Sequence, residues 1–254
     1  MSLWQVDGFS GQLNIHPLRA TLDLPRAHAG LGDVCLFGRP CRAMRLLAVD
    51  LPFLTPTSQP EPSPELHVRG AAVAASYPES TGWPVQVDLL WRAFSAGRSD
   101  PFLGAIELVL SVRTPHGESR PALTATSVLP GGEVLRLGDP ASVHFERLEL
   151  SEEGVLAMEP GVGSGCLVFR IPDADVSYAE MIHPADFHGD QLAQHAGPDR
   201  TLRLCHRLFP DPLEKGVILR ARIRGGFFAR GGDLERVAAD YAAFAAAEPP
   251  LGSS

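Results

Sequence analysis

Hydrophobic and polar residues alternate with period two along much of this chain, the pattern of strands with one buried face. Val85, Val87, Leu89 and Trp91 fall on one side, Gln86, Asp88 and Arg92 on the other. Ile106, Leu108, Leu110 and Val112 alternate likewise with Glu107, Ser111 and Arg113, after a loop carrying Gly97, Ser99, Asp100 and Pro101. Similar runs predict strands at Leu13 to Leu22, Val34 to Phe37, Arg45 to Val49, Leu66 to Ser76 and Pro121 to Val128. Others follow at Val134 to Leu137, Val143 to Leu150, Cys166 to Ile171, Thr201 to Phe209 and Val217 to Phe228. A dozen strands in 254 residues predict an all-β fold, a large antiparallel β-sandwich in one domain over residues 1–254.

One segment changes period. From Asp233, which is placed to cap a helix, Leu234, Val237, Ala238, Tyr241, Phe244 and Ala245 recur at steps of three and four, until Pro249 and Pro250 stop the pattern. An amphipathic helix over about 233–247 is expected to lie on the outside of a sheet. Two stretches read as loops: the proline-rich 52–64, whose rings remove backbone donors, and the glycine-rich 152–165.

With 44% hydrophobic and 20% charged residues and no long apolar run, the composition is that of a globular, non-membrane protein. The N-terminal residues lack a basic start followed by an apolar stretch, so a cytoplasmic location is the expectation. A formal charge of −8 disfavours nucleic acid and anionic membranes as partners. Cys35, Cys41, Cys166 and Cys205 have no ligand spacing and are expected to be reduced. No GxGxxG, Walker loop, GxSxG elbow or HExxH occurs, and neither cofactor nor metal is expected.

The layout resembles the galactose-mutarotase-like β-supersandwich of sugar epimerases and carbohydrate-processing enzymes. The residues that carry the resemblance are Glu65-Leu-His-Val-Arg-Gly70, Trp83-Pro-Val-Gln-Val-Asp-Leu-Leu-Trp-Arg92, His183 and the late Glu214, beside that family's use of an arginine, central histidines and a late carboxylate. It implies a saccharide partner, bound or processed by an epimerase or mutarotase. The run from His206 to Arg224 also resembles part of a bacterial family to which no function attaches.

Candidate chemistry concentrates between Tyr178 and Arg224. His183-Pro-Ala-Asp-Phe-His188 places two imidazoles and Asp186 within six residues, a pattern suited first to bracing a loop, then to a sugar or proton-transfer site, and last to ligating a metal, for which the spacing is not diagnostic. Glu214, at a corner forced by Pro210 and Pro212, is the candidate general base, unless it merely pairs with Lys215. Alternation puts Arg220, Arg222 and Arg224 on one strand face, about 7 Å apart, where carboxylates or an anionic ligand must face them. Trp83 supplies a ring for stacking on a sugar, or an anchor over the sandwich end. The expectation is a groove with His183, His188 and Glu214 as catalytic groups and Arg69, Trp83, Tyr178, Glu180, Asp186, His206, Arg220 and Arg222 around the ligand. The competing reading is a non-catalytic interaction or accessory domain in which these residues are paired structurally.

Overall fold

A computed structural model describes residues 3–41, 43–51, 63–80, 83–97, 100–151, 154–195 and 200–248. In chain order the first strands are β1 (Trp4–Asp7), β2 (Ser10–Ile15), β3 (Leu18–Asp23), β4 (Leu31–Leu36), β5 (Arg39–Pro40), β6 (Arg45–Asp50) and β7 (Glu65–Arg69). Then come β8 (Ala72–Tyr77), β9 (Gln86–Ser95), β10 (Gly104–Arg113), β11 (Glu118–Ser119), β12 (Leu123–Pro130), β13 (Glu133–Asp139) and β14 (His144–Arg147). The last are β15 (Val155–Met158), β16 (Cys166–Arg170), β17 (Val176–Ile182), β18 (Asp190–His195), β19 (Thr201–Leu208), β20 (Leu213–Glu214) and β21 (Ile218–Ala229), followed by helix α1 (Asp233–Ala246).

Two large antiparallel sheets form a sandwich. The first runs β1-β2-β3-β4-β6-β12-β19-β18-β15, with β5 on β4, and the second runs β14-β13-β16-β17-β21-β10-β9-β8-β7. β11 and β20 make a separate two-stranded ladder. Between the large sheets lies one core containing Leu13, Ile15, Trp91, Leu108, Phe169 and Phe227. Fully burying each such side chain contributes roughly 1.5–3 kcal/mol. A second apolar cluster, with Leu137, Val168, Met181, Phe228, Val237 and Phe244, lies on the outer side of the second sheet, where α1 packs. No helix among the described residues is long and apolar enough to cross a membrane.

Several expectations are corrected in detail. The run Leu13 to Leu22 folds back at His16-Pro17 into the β2–β3 hairpin, and Leu66 to Ser76 is the β7–β8 hairpin. The glycine-rich 152–165 contains β15, paired with β18. The proline-rich loop, apart from Ser63 and Pro64, lies outside the described residues. Asp233 does not cap α1: Gly232 holds the cap position at φ 70°, and Asp233 is buried in the first turn. Gly225 and Gly226 lie within β21, where a Cβ at Gly225 would meet the Tyr178 hydroxyl at 2.2 Å.

Candidate functional site

β17 turns Tyr178 and Glu180 into the space between the sheets, and β19, β18 and β12 add His206, Asp190 and Ser127. His206 Nδ1 lies 2.7 Å from Asp190 Oδ1, and His206 Nε2 lies 3.0 Å from Glu180 Oε1. The other Glu180 oxygen accepts hydrogen bonds from Ser127 Oγ at 2.6 Å and from the Tyr178 hydroxyl. Ser127 Oγ accepts in turn from the Leu47 amide at 2.9 Å. His206 and Glu180 are each 1% exposed and Asp190 2%. Burial opposes charge on the imidazole, yet Asp190 and Glu180 outweigh it and raise the His206 pKa to about 10. The set is a charged, hydrogen-bonded tie between the two sheets. It is closed to solvent.

A second group forms at the C-terminal end of α1. Ala185 N donates to His183 Nδ1 at 3.3 Å, which leaves Nε2 to donate to the Ala245 carbonyl at 3.1 Å. The Arg222 guanidinium donates to the carbonyls of Ala247 (3.1 Å) and Glu248 (3.3 Å), while its backbone N donates to Asp186 Oδ2 at 2.9 Å. Helix ends leave carbonyls without partners, and cationic donors suit the negative end of the helix dipole. His183, Asp186 and Arg222 therefore seat the helix. Two residues along β21, Arg224 bonds Glu107 at 2.8 Å and Asp240 of α1 at 3.0 Å, with Arg92 3.5 Å from Glu107. Burial raises the Asp240 pKa against the pull of Arg224. At the other end of α1, Asp233 accepts from Ser177 Oγ at 2.6 Å and from Arg170 Nε and Nη2, each at 3.3 Å.

The remaining residues lie elsewhere. Glu214 is exposed on the small ladder, opposite Glu118. Trp83 is half-buried against the inter-sheet core, in a bridge with Ser80. Arg69 is exposed at the end of edge strand β7. Arg220 donates to Ser111 Oγ at 3.3 Å on the outer face of the second sheet. His188 is half-buried, its carbonyl 3.1 Å from Arg207 Nη2. The structure thus gathers Tyr178, Glu180 and His206 between the sheets and His183, Asp186 and Arg222 under the helix; the predicted common groove is not formed. Among the described residues no three His, Cys, Asp or Glu side chains are grouped to hold a metal ion.

A different surface carries polar side chains that are exposed around a buried centre at Ala48 and Thr126. The side chains of the first sheet that point away from the core form rows across β6, β12, β19 and β18, fixed by register. Ala48, Thr126, Cys205 and Gln191 make the middle row; Asp50, Thr124 and Arg207 flank it on one side, and Arg45, Val128, Arg203 and Ala193 on the other. Asp50 accepts from Thr124 Oγ1 at 2.9 Å and approaches Arg203 at 3.9 Å, so this pair crosses the sheet diagonally at Thr126. Arg207 is held by Glu159 at 3.0 Å. Thr126 is 6% exposed, and its hydroxyl has no hydrogen-bond partner among the described residues. A buried hydroxyl without a partner is costly. Nothing in the prediction pointed to Asp50, Thr126 or Arg203. The available signal was the alternation of Arg203, Cys205 and Arg207 with Leu202, Leu204, His206 and Leu208, which assigns the arginines outward and His206 inward.

No family model matches the sequence, and no curated protein matches it. Solved structures match in three dimensions. A candidate aldose 1-epimerase from Escherichia coli K12 aligns with TM-score 0.60 at 9% identity, covering 86% of this chain and 98% of that one. A GalM/aldose epimerase homologue from C. elegans aligns at 0.55 with 12% identity, covering 87% and 99%. A galactose mutarotase-like protein from Lactobacillus casei ATCC 334 aligns at 0.55 with 9% identity, covering 85% and 99%. At such identities the likeness is one of architecture, and it agrees with the two antiparallel sheets and single helix described above. This chain has the galactose mutarotase-like β-sandwich fold.

Proposed function

We propose that the chain binds a saccharide on the open face of its first sheet and does not turn it over. The observation that carries the reading is the buried, unpartnered Thr126 hydroxyl in a row flanked by Asp50, Thr124, Arg203 and Arg207. Sugar hydroxyls both donate and accept. Carboxylates and threonines accept from them, and guanidinium forks donate to them. A ring hydroxyl that parts the loose Asp50–Arg203 pair, 3.9 Å apart, and reaches the buried Thr126 hydroxyl would supply the bond that the protein leaves unmade. The fold likeness to aldose epimerase and mutarotase-like proteins supports a carbohydrate as the ligand class.

The direction of the acid–base groups supports binding without turnover. Opening or epimerising a sugar ring requires a proton donor and acceptor within hydrogen-bond reach of the reacting atoms. The three rows of this face hold one carboxylate, Asp50, already engaged by Thr124 and Arg203, and no histidine among the described residues, while the imidazole of His206 faces the core with its carboxylates on the closed side.

The test is a sugar panel read by thermal shift and calorimetry, since a ligand that binds only the folded state raises its stability. At least one sugar is expected to bind, with affinity falling roughly tenfold or more, about 1.4 kcal/mol, in Arg203→Ala and Thr126→Val. Sugars that bind both variants like the parent protein would remove the site. Acceleration of anomer exchange by the parent protein, followed by NMR, would remove the claim of no turnover.

A further inference from the structure

The open face does not stop at Arg203. On β6 and β12, Arg45 and Val128 stand opposite one another, and Val128 is the next outward position after Thr126 on its strand, about 7 Å along. Both line a cavity of about 430 Å³ whose other walls include Thr21, Asp23, Gly30 and Asp33. Small-molecule sites fall in this size range.

The cavity has a definite structural origin. β4 and β6 are neighbours in the sheet, yet among the described residues they pair only at Leu31 and Leu46. The β3–β4 register also shifts between Arg19 and Thr21, and the β6–β12 register between Thr126 and Val128. Such irregularities bend strands and re-aim side chains, and they recur beside functional sites. Strained backbone accompanies them: Asp33 and Leu47 both have positive φ, 48° and 53°. Gly30 closes the floor, since a Cβ there would lie 2.5 Å from the Leu46 carbonyl oxygen. The sheet is opened and its backbone kept close on the inner side, which leaves a hollow on the outer side.

The chemistry of the hollow matches a polyol. Asp33 accepts from Thr21 Oγ1 at 2.7 Å, and Asp23 lies 3.7 Å from the exposed Arg26, so acceptors line one side. Arg45 forms no ion pair among the described residues and presents its donors on the other. Mixed donors and acceptors around a small apolar patch suit a ring bearing several hydroxyls better than a single charge of either sign.

We propose that this hollow is a second sugar subsite, continuous with the Thr126 row, so that the ligand is an oligosaccharide of two or more units lying across β12, β6, β4 and β3. The inference rests on the saccharide reading above. Calorimetry with glucose, galactose and mannose and with their α- and β-linked di- and trisaccharides tests it. Some di- or trisaccharide is expected to bind at least tenfold more tightly than its own monosaccharide. Arg45→Ala and Asp23→Ala, with unchanged melting temperatures, are expected to erase that gain and leave monosaccharide binding intact. Equal affinity for a monosaccharide and its oligomers, or a gain that survives both variants, overturns the second subsite while the first stands. If no sugar in the panel binds, the saccharide reading falls and this inference with it.

Discussion

His206 shows how one residue couples ionisation to the stability of the sandwich. Its pKa is raised from the ordinary 6.5 to about 10 by Asp190 and Glu180. A raised histidine stabilises the fold fully below its unfolded value, and this contribution is lost as pH climbs through the folded value. Unfolding free energy, measured by denaturant titration, is therefore expected to fall between pH 6.5 and 10 by up to about 1.4 kcal/mol per pH unit. His206→Gln should flatten that slope and cost about 3–5 kcal/mol at pH 6, because two buried carboxylates lose their cation. A wild-type curve flat across the window would show that the imidazole is neutral in the folded protein. The inward direction of His206 was legible from its leucine neighbours on β19. The inward direction of its partner Glu180 was not, because β17 is buried at all seven positions and so carries no period-two signal.

At the scale of elements, α1 is the one expectation realised almost residue for residue, since an apolar stripe at helical spacing survives any tertiary context. What the pattern could not supply was its seat. The arginines of β21 repel one another in isolation, and only the folded structure shows Arg224 answered by Glu107 and Asp240, and Arg222 by the carbonyls of Ala247 and Glu248 just past the helix. Arg222→Ala should lower stability by about 1–3 kcal/mol, because the carbonyls it serves lose charged donors. Arg222→Lys should restore only part of the loss, as one ammonium replaces a two-pronged fork. Hydrogen exchange on α1 amides gives the readout. Protection in Arg222→Ala equal to the parent protein's would mean that the guanidinium does not hold the helix.

Over the whole molecule, alternation was enough to identify the sandwich because nine or ten strands per sheet repeat the same signal. The site was harder to read, because it depends on which strands become neighbours. β12 and β19 are separated by more than 70 residues, and Thr126 meets Cys205 only after the sheet is assembled. Exposed apolar side chains such as Phe9, Phe37, Val68, Val155 and Val162 are spread over separate turns and edge strands, which favours the polar rows of the first sheet as the working surface.

The position of β21 has a kinetic consequence. It lies between β17 and β10 in the second sheet, although its residues come after every other strand in the chain. During synthesis β10 and β17 must wait with unpaired edges until Ile218–Ala229 emerges to join them. Contacts of such long sequence separation slow folding and leave intermediates prone to associate. The second sheet is thus completed from its middle, and the chain is most exposed to misassembly just before its last strand arrives.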